Sequence, residues 1–154
     1  MSSDTLDRTL APDTVVTSEV RPVMLVTLNV PYDEAAVEFA IETAGSTGAE
    51  LWVCDAIPLG FENYAGHVAR RYAESLNRKH MADVTRRSRE RGVVTKQLAF
   101  HNHKPVHAAV EVAREERVGL LVFGPDRSQI GRWPFRRAVR RLRDEATCLV
   151  WVND

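Results

Sequence analysis

Hydrophobic positions follow two alternating rhythms along this chain. Short, nearly continuous apolar runs rich in β-branched residues occur at Val23–Val30 (VMLVTLNV), Leu51–Ile57 (LWVCDAI), Val93–Phe100, Gly119–Phe123 and Cys148–Val152 (CLVWV). Runs of that kind predict strands buried on both faces. Between them the apolar spacing becomes helical. Pro31, Asp33 and Glu34 open a first helix whose Val37, Ala40, Ile41 and Ala44 form one stripe, and Gly45 and Gly48 end it. The segment from Pro58 to Gly66 reads as a loop. A long helix then runs to about Arg91, with Val68, Tyr72, Leu76 and Val84 on its buried side and Gly92 as its stop. Pro105 suits the first position of a third helix carrying Val106, Ala109, Val110 and Ala113. A fourth helix buries Phe135, Val139, Leu142 and Ala146. The order β-α-β-α-β-α-β-α-β predicts a five-stranded, mainly parallel sheet with right-handed crossovers and four helices on its two faces, an α/β/α sandwich.

Composition narrows the class. The chain has 154 residues, 44% apolar and 27% charged, enough for one domain with a real core. No apolar run approaches the ~20 residues that span a bilayer, so no membrane partner is expected. Residues 1–21 read as a flexible leader rich in Ser, Thr, Asp and Pro, without the apolar centre of a secretory signal, and residues 22–154 as the folded domain. Cys54 and Cys148 both fall in strand patterns, as buried thiols of a reducing cytoplasm would.

Charge adds a local feature. The net charge is zero, yet Arg127 to Arg143 holds seven arginines and no acid. A solvated helix face accounts for such a segment, and so does an anionic partner at Arg132–Arg143: RNA, a ribosome surface or an acidic protein. The same stretch carries the strand–Gly124–loop–helix sequence at which open α/β sheets bind phosphates. His101, His103 and His107 cluster in HNHKPVH without a further ligand at metal spacing, so no metal is assigned. Lys104 stands where a helix N-cap favours Asp. No nucleophile elbow, phosphate-loop lysine or pair of carboxylates at a natural cleft position is present, and the expectation is a protein that is not an enzyme. A receiver domain has a similar alternation, but Asn29 and Gly124 stand at strand ends where it needs acids, and Asp55 lies inside its strand.

From Pro22 to Asp154 the sequence resembles the universal stress protein family. The likeness is carried by the LVTLN strand and its helix, the GAELWV strand start at Gly48, the segment AREERVGLLVFG and the closing ATCLVWV strand. It implies a Rossmann-like, cytoplasmic domain that dimerises through its last strand, here Leu149, Val150, Trp151 and Val152. ATP-binding members of that family carry an acid at the end of the first strand and a Gly-x2-Gly-x9-Gly-Ser/Thr loop after the fourth.

Here Asn29 replaces the acid, and only Gly124 matches the loop. The second glycine falls on Arg127 and the final pair at Arg136, Arg137 or Ala138, with Gly131 off the family spacing. Two readings follow. The arginines fill the pocket and exclude ATP, leaving an interaction or regulatory domain in stress adaptation. Alternatively, guanidinium groups replace glycine amides as phosphate donors, making a nucleotide or phosphate sensor, with weak nucleotidase activity as its extreme form. Asn29, Gly124, Arg127, Gly131, Arg136 and Arg137 are the candidate pocket in both cases, with no cofactor expected in the first and ATP or another nucleotide in the second.

Overall fold

A computed structural model describes residues 20–153 except 60, with the side chains of 61–73 outside the description. Five strands form one sheet: β1 (Val23–Thr27), β2 (Leu51–Pro58), β3 (Thr95–Asn102), β4 (Leu120–Phe123) and β5 (Leu149–Val152). The helices are α1 (Glu34–Thr47), α2 (Phe61–Glu90), α3 (Pro105–Glu115) and α4 (Arg132–Glu145), with a 3₁₀ turn at Arg127–Gln129. The sheet order is β3-β2-β1-β4-β5 and every pairing between these strands is parallel. The three-layer architecture expected from the sequence is therefore present, and the chain reverses direction across the sheet between β1 and β4.

Two cores lie on the two faces. Val23, Leu25, Leu51 and Val53 pack against α1 and the C-terminal half of α2, where Ile41, Ala44, Met81 and Val84 are buried. Met24, Val26, Trp52 and Cys54 pack against α3 and α4 through Val110, Ala113, Phe135 and Leu142. Alternate residues of one strand thus serve opposite layers, which is why β1 and β2 read as unbroken apolar runs. Asp33 caps α1 by accepting the N–H of Ala36 at 3.1 Å, and Gly48 ends that helix in the left-handed conformation, φ 74°.

Several boundaries differ from expectation. β1 stops at Thr27 because the backbone turns left-handed at Asn29, φ 59°. α2 starts at Phe61, inside the segment expected to be a loop, and β3 is displaced two residues toward its C-terminus. On α2, Leu76 is 41% exposed, while Asn77, Met81, Val84 and Ser88 are buried. The buried face includes polar side chains satisfied within the structure, such as Ser88 Oγ donating to Val84 O at 2.7 Å, so apolar spacing alone misplaced it. Val68 and Tyr72 lie outside the described side chains. Ala146 is the half-buried C-cap of α4, and Cys148 is half-buried just before β5; Cys54 alone of the two thiols is fully buried. Of the proposed leader only Val20 and Arg21 are described, and Val20 is exposed. No described helix is long and apolar enough to cross a membrane.

Candidate functional site

The reversal of strand order places the loops after β1 and β4 side by side at the C-terminal edge of the sheet, where an open α/β fold forms its ligand crevice. In this protein the two loops are fastened to each other. Asp33 N–H donates to Gly124 O and Asp126 N–H to Pro31 O, both at 2.8 Å, as part of an antiparallel bridge between Tyr32 and Pro125. The Tyr32 hydroxyl donates to Cys54 O at 2.7 Å, anchoring the strap to β2. Burial, reinforced by the nearby Asp55 carboxylate, keeps that phenol protonated well above its usual range.

Most of the backbone donors from Gly124 to Gln129 are spent inside the loop. Gly124 N–H bonds Val26 O at 2.8 Å, Pro125 has no N–H, and Asp126 N–H is in the strap. Ser128 N–H and Oγ both donate to Asp126 Oδ1, at 3.0 and 2.8 Å, and Gln129 N–H bonds Asp126 O at 2.9 Å. Asp126 also brings a negative charge to the mouth. Gly124 itself is required by packing: a Cβ there would stand 2.8 Å from Leu25 Cδ1 and 3.0 Å from Ala36 Cβ. Its absent side chain lets α1 approach the sheet.

Beneath the strap lies a polar cluster that sequence reasoning passed over. Asp55, on β2, is buried, and its carboxylate accepts the Asn29 N–H at 2.7 Å and a short hydrogen bond from the Asn77 amide of α2. Burial pushes the Asp55 carboxyl up to about 6, against the pull of those two donors and of His101. His101 Nε2 is 3.2 Å from Glu74 Oε2 at the rim of this cluster. Asn29 Oδ1 is buried without a hydrogen-bond partner among the described residues. The visible signal was a carboxylate inside an apolar strand, which has to find donors when buried.

The six candidate residues do not share one cavity. Gly124 is buried under the strap, and Gly131 is the N-cap of α4. Arg127 and Arg136 line a groove of about 500 Å³ with Phe135, Val139 and Arg140. Within it the Arg127 guanidinium lies over the Phe135 ring at 4.5 Å from its centre and reaches Asn153 O at 3.5 Å. Arg137 belongs to a different groove, of about 320 Å³, with Leu28, Val106, Ile130, Ala138 and Arg141.

α4 presents Arg132, Trp133, Arg136, Arg137, Arg140 and Arg141 outward, all exposed. Trp133 is 71% exposed, with the Arg136 guanidinium 5.9 Å from its ring centre. β5 is an edge strand whose Leu149 is 74% exposed; Trp151 stacks on Phe39 at 4.4 Å. The histidines do not converge: His107 Nδ1 lies 3.1 Å from Glu145 Oε1, and no metal-holding group of three occurs among the described residues. Lys104 caps α3 without a side-chain hydrogen bond.

A sequence model described as the universal stress protein family matches residues 19–153. Among solved structures, one from that family in Burkholderia pseudomallei superposes with a TM-score of 0.64 at 20% identity, covering 85% of this chain and 94% of its own. A universal stress protein from Archaeoglobus fulgidus in complex with dAMP gives 0.61 at 18%, covering 86% and 97%. Another, in complex with cAMP, gives 0.55 at 18%, covering 88% and 98%. No curated protein matches.

Proposed function

This chain belongs to the universal stress protein family, and from that premise we propose that it is a cytoplasmic stress-adaptation domain that acts by contacting a partner, performs no chemistry of its own, and does not hold ATP on a phosphate loop. The observation that carries the reading is the strap. The N–H groups of Gly124, Asp126, Ser128 and Gln129 are bonded to Val26, Pro31 and Asp126, so a triphosphate placed on that loop would have to break them and meet the Asp126 carboxylate. Asn29, at the first-strand position, turns its own N–H onto Asp55. Calorimetric titration of the nucleotide-free protein with ATP and magnesium tests this reading, and micromolar binding would sink it.

The domain works as a homodimer paired through β5. An exposed edge strand carrying Leu149 is otherwise a template for aggregation, and a second copy covers it. α4, with its arginine face, is the surface that meets an anionic partner.

A second reading keeps a ligand. The Arg137–Arg141 groove opens beside Leu28, one residue from the orphaned Asn29 Oδ1, and two solved family members carry dAMP and cAMP. A small nucleotide read through guanidinium groups instead of glycine amides would use that groove. Thermal stabilisation of the wild type by AMP or cAMP, lost in Arg137→Ala/Arg141→Ala, would support it; no shift with either nucleotide would reject it.

A further inference from the structure

The outward face of α4 violates the usual electrostatics of a helix. Its first turn holds Arg132 and no acid, and Gly131 provides no capping side chain, while Arg143, in the last turn, is the arginine that the macrodipole favours. Cations near a helix N-terminus oppose the macrodipole, and cations at i, i+4 repel one another. Among the described residues Arg132, Arg137 and Arg140 form no ion pair, while Arg141 approaches Glu145 at 3.8 Å. A face built against local stability suits an external counter-charge.

The spacing limits what that counter-charge is. Arg132, Arg136, Arg140 and Arg143 form one stripe about 16 Å long, with guanidinium groups about every 5–6 Å along the axis. Trp133 stands beside the stripe and lines a groove of about 490 Å³ with Arg136, Arg137 and Arg140. It is the only exposed large apolar side chain on α4. A protein partner would look for an apolar centre ringed by polar residues, and this face offers a single indole among cations. A strand of regularly spaced phosphates carrying unstacked planar bases matches both features, since guanidinium groups take the phosphates and the indole takes a base face.

We propose that the α4 face centred on Trp133, Arg136 and Arg140 is a short platform for single-stranded nucleic acid. The proposal rests on reading α4 as the partner surface and is independent of whether ATP binds at the strap. Trp133 stacks on one base, and the Arg132–Arg143 stripe neutralises about four phosphates. Sequence preference is weak, because stacking tolerates every base.

Fluorescence anisotropy of a labelled twelve-nucleotide oligo(U), titrated with the full chain at several salt concentrations, tests it. The expected log–log salt slope is about −3, so affinity falls about fifty-fold between 50 and 200 mM salt. Arg136→Gln/Arg140→Gln reduces the slope magnitude by about 1.4. Trp133→Ala weakens binding about ten-fold at unchanged slope, and Trp133→Phe restores most of it. These substitutions are all on an exposed face, and unchanged thermal unfolding of each variant establishes that the fold is intact. Absence of binding at 50 mM salt overturns the proposal. So does indifference to Trp133→Ala, which would leave a plain polyanion surface. Tighter binding of duplex RNA or of a polyglutamate peptide also overturns it, by assigning the face to another partner class. None of these failures touches the ATP titration, whose own failure would leave the α4 result standing.

Discussion

The Asp55 carboxylate accepts the main-chain N–H of Asn29 at 2.7 Å, joining the middle of β2 to the left-handed residue that ends β1. That contact positions the loop from which Pro31 to Asp33 strap themselves across Gly124 to Asp126. The strap between the two loops therefore rests on a buried acid supplied by the neighbouring strand.

Asp55 makes stability depend on pH with a definite sign. Its carboxyl is raised from 3.8 to about 6 in the folded protein. Between about pH 4 and pH 6 the folded state keeps a proton that the unfolded state has lost, so stability falls as pH rises through that window. The loss is of order 3 kcal/mol, at about 1.4 kcal/mol per unit of pKa difference. Asp55→Asn, whatever its absolute stability, is expected to lack this component. Urea midpoints of both proteins at pH 4.5 and 7 check it; identical pH slopes would contradict the assignment.

Gly124→Ala tests whether that glycine serves packing. The added methyl would meet Leu25 Cδ1 and Ala36 Cβ within 3.0 Å. Overpacking of this kind is expected to destabilise by about 1–3 kcal/mol, measured as a lower urea midpoint at unchanged m-value. An unchanged midpoint would show that α1 yields freely.

Tyr32→Phe removes the hydroxyl that reaches Cys54 O at 2.7 Å and leaves that carbonyl without this donor. The expected cost is about 1–2 kcal/mol. Hydrogen exchange should also show faster exchange at Asp33 and Asp126, whose N–H groups close the strap. Equal protection in both proteins would mean that the strap holds without its anchor.

Leu149→Lys places a charge on the exposed edge of β5. The wild type is expected to sediment at twice 17.3 kDa and the variant at that monomer mass. A wild type already monomeric, or a variant still dimeric, would move the interface away from β5.

The layer order and the buried stripes of α1, α3 and α4 were legible because apolar periodicity reports which face is covered. The site was less so. Asn29 and Gly124 were identified as the ends of two strands, but their roles come from contacts distant in sequence: Asp55 beneath Asn29, and Ala36 against Gly124. Loop chemistry counted along the chain expected Arg127, Arg136 and Arg137 above one mouth. Helical geometry separates Arg136 from Arg137 by about 100°, so Arg136 but not Arg137 shares the groove with Arg127, and Arg137 but not Arg136 reaches the groove beside Leu28. The buried face of α2 was misread at Leu76 because Asn77 and Ser88 are buried through hydrogen bonds, to which hydropathy is blind.

Titration calorimetry of the full, nucleotide-free chain with ATP and magnesium most directly tests the claim that the strap closes the mouth. With the N–H groups of Gly124, Asp126, Ser128 and Gln129 already bonded to Val26, Pro31 and Asp126, the account expects no saturable heat up to roughly millimolar ATP, a binding free energy weaker than about −4 kcal/mol. A saturable isotherm in the micromolar range, abolished by Gly131→Asp at the N-cap of α4, would contradict it.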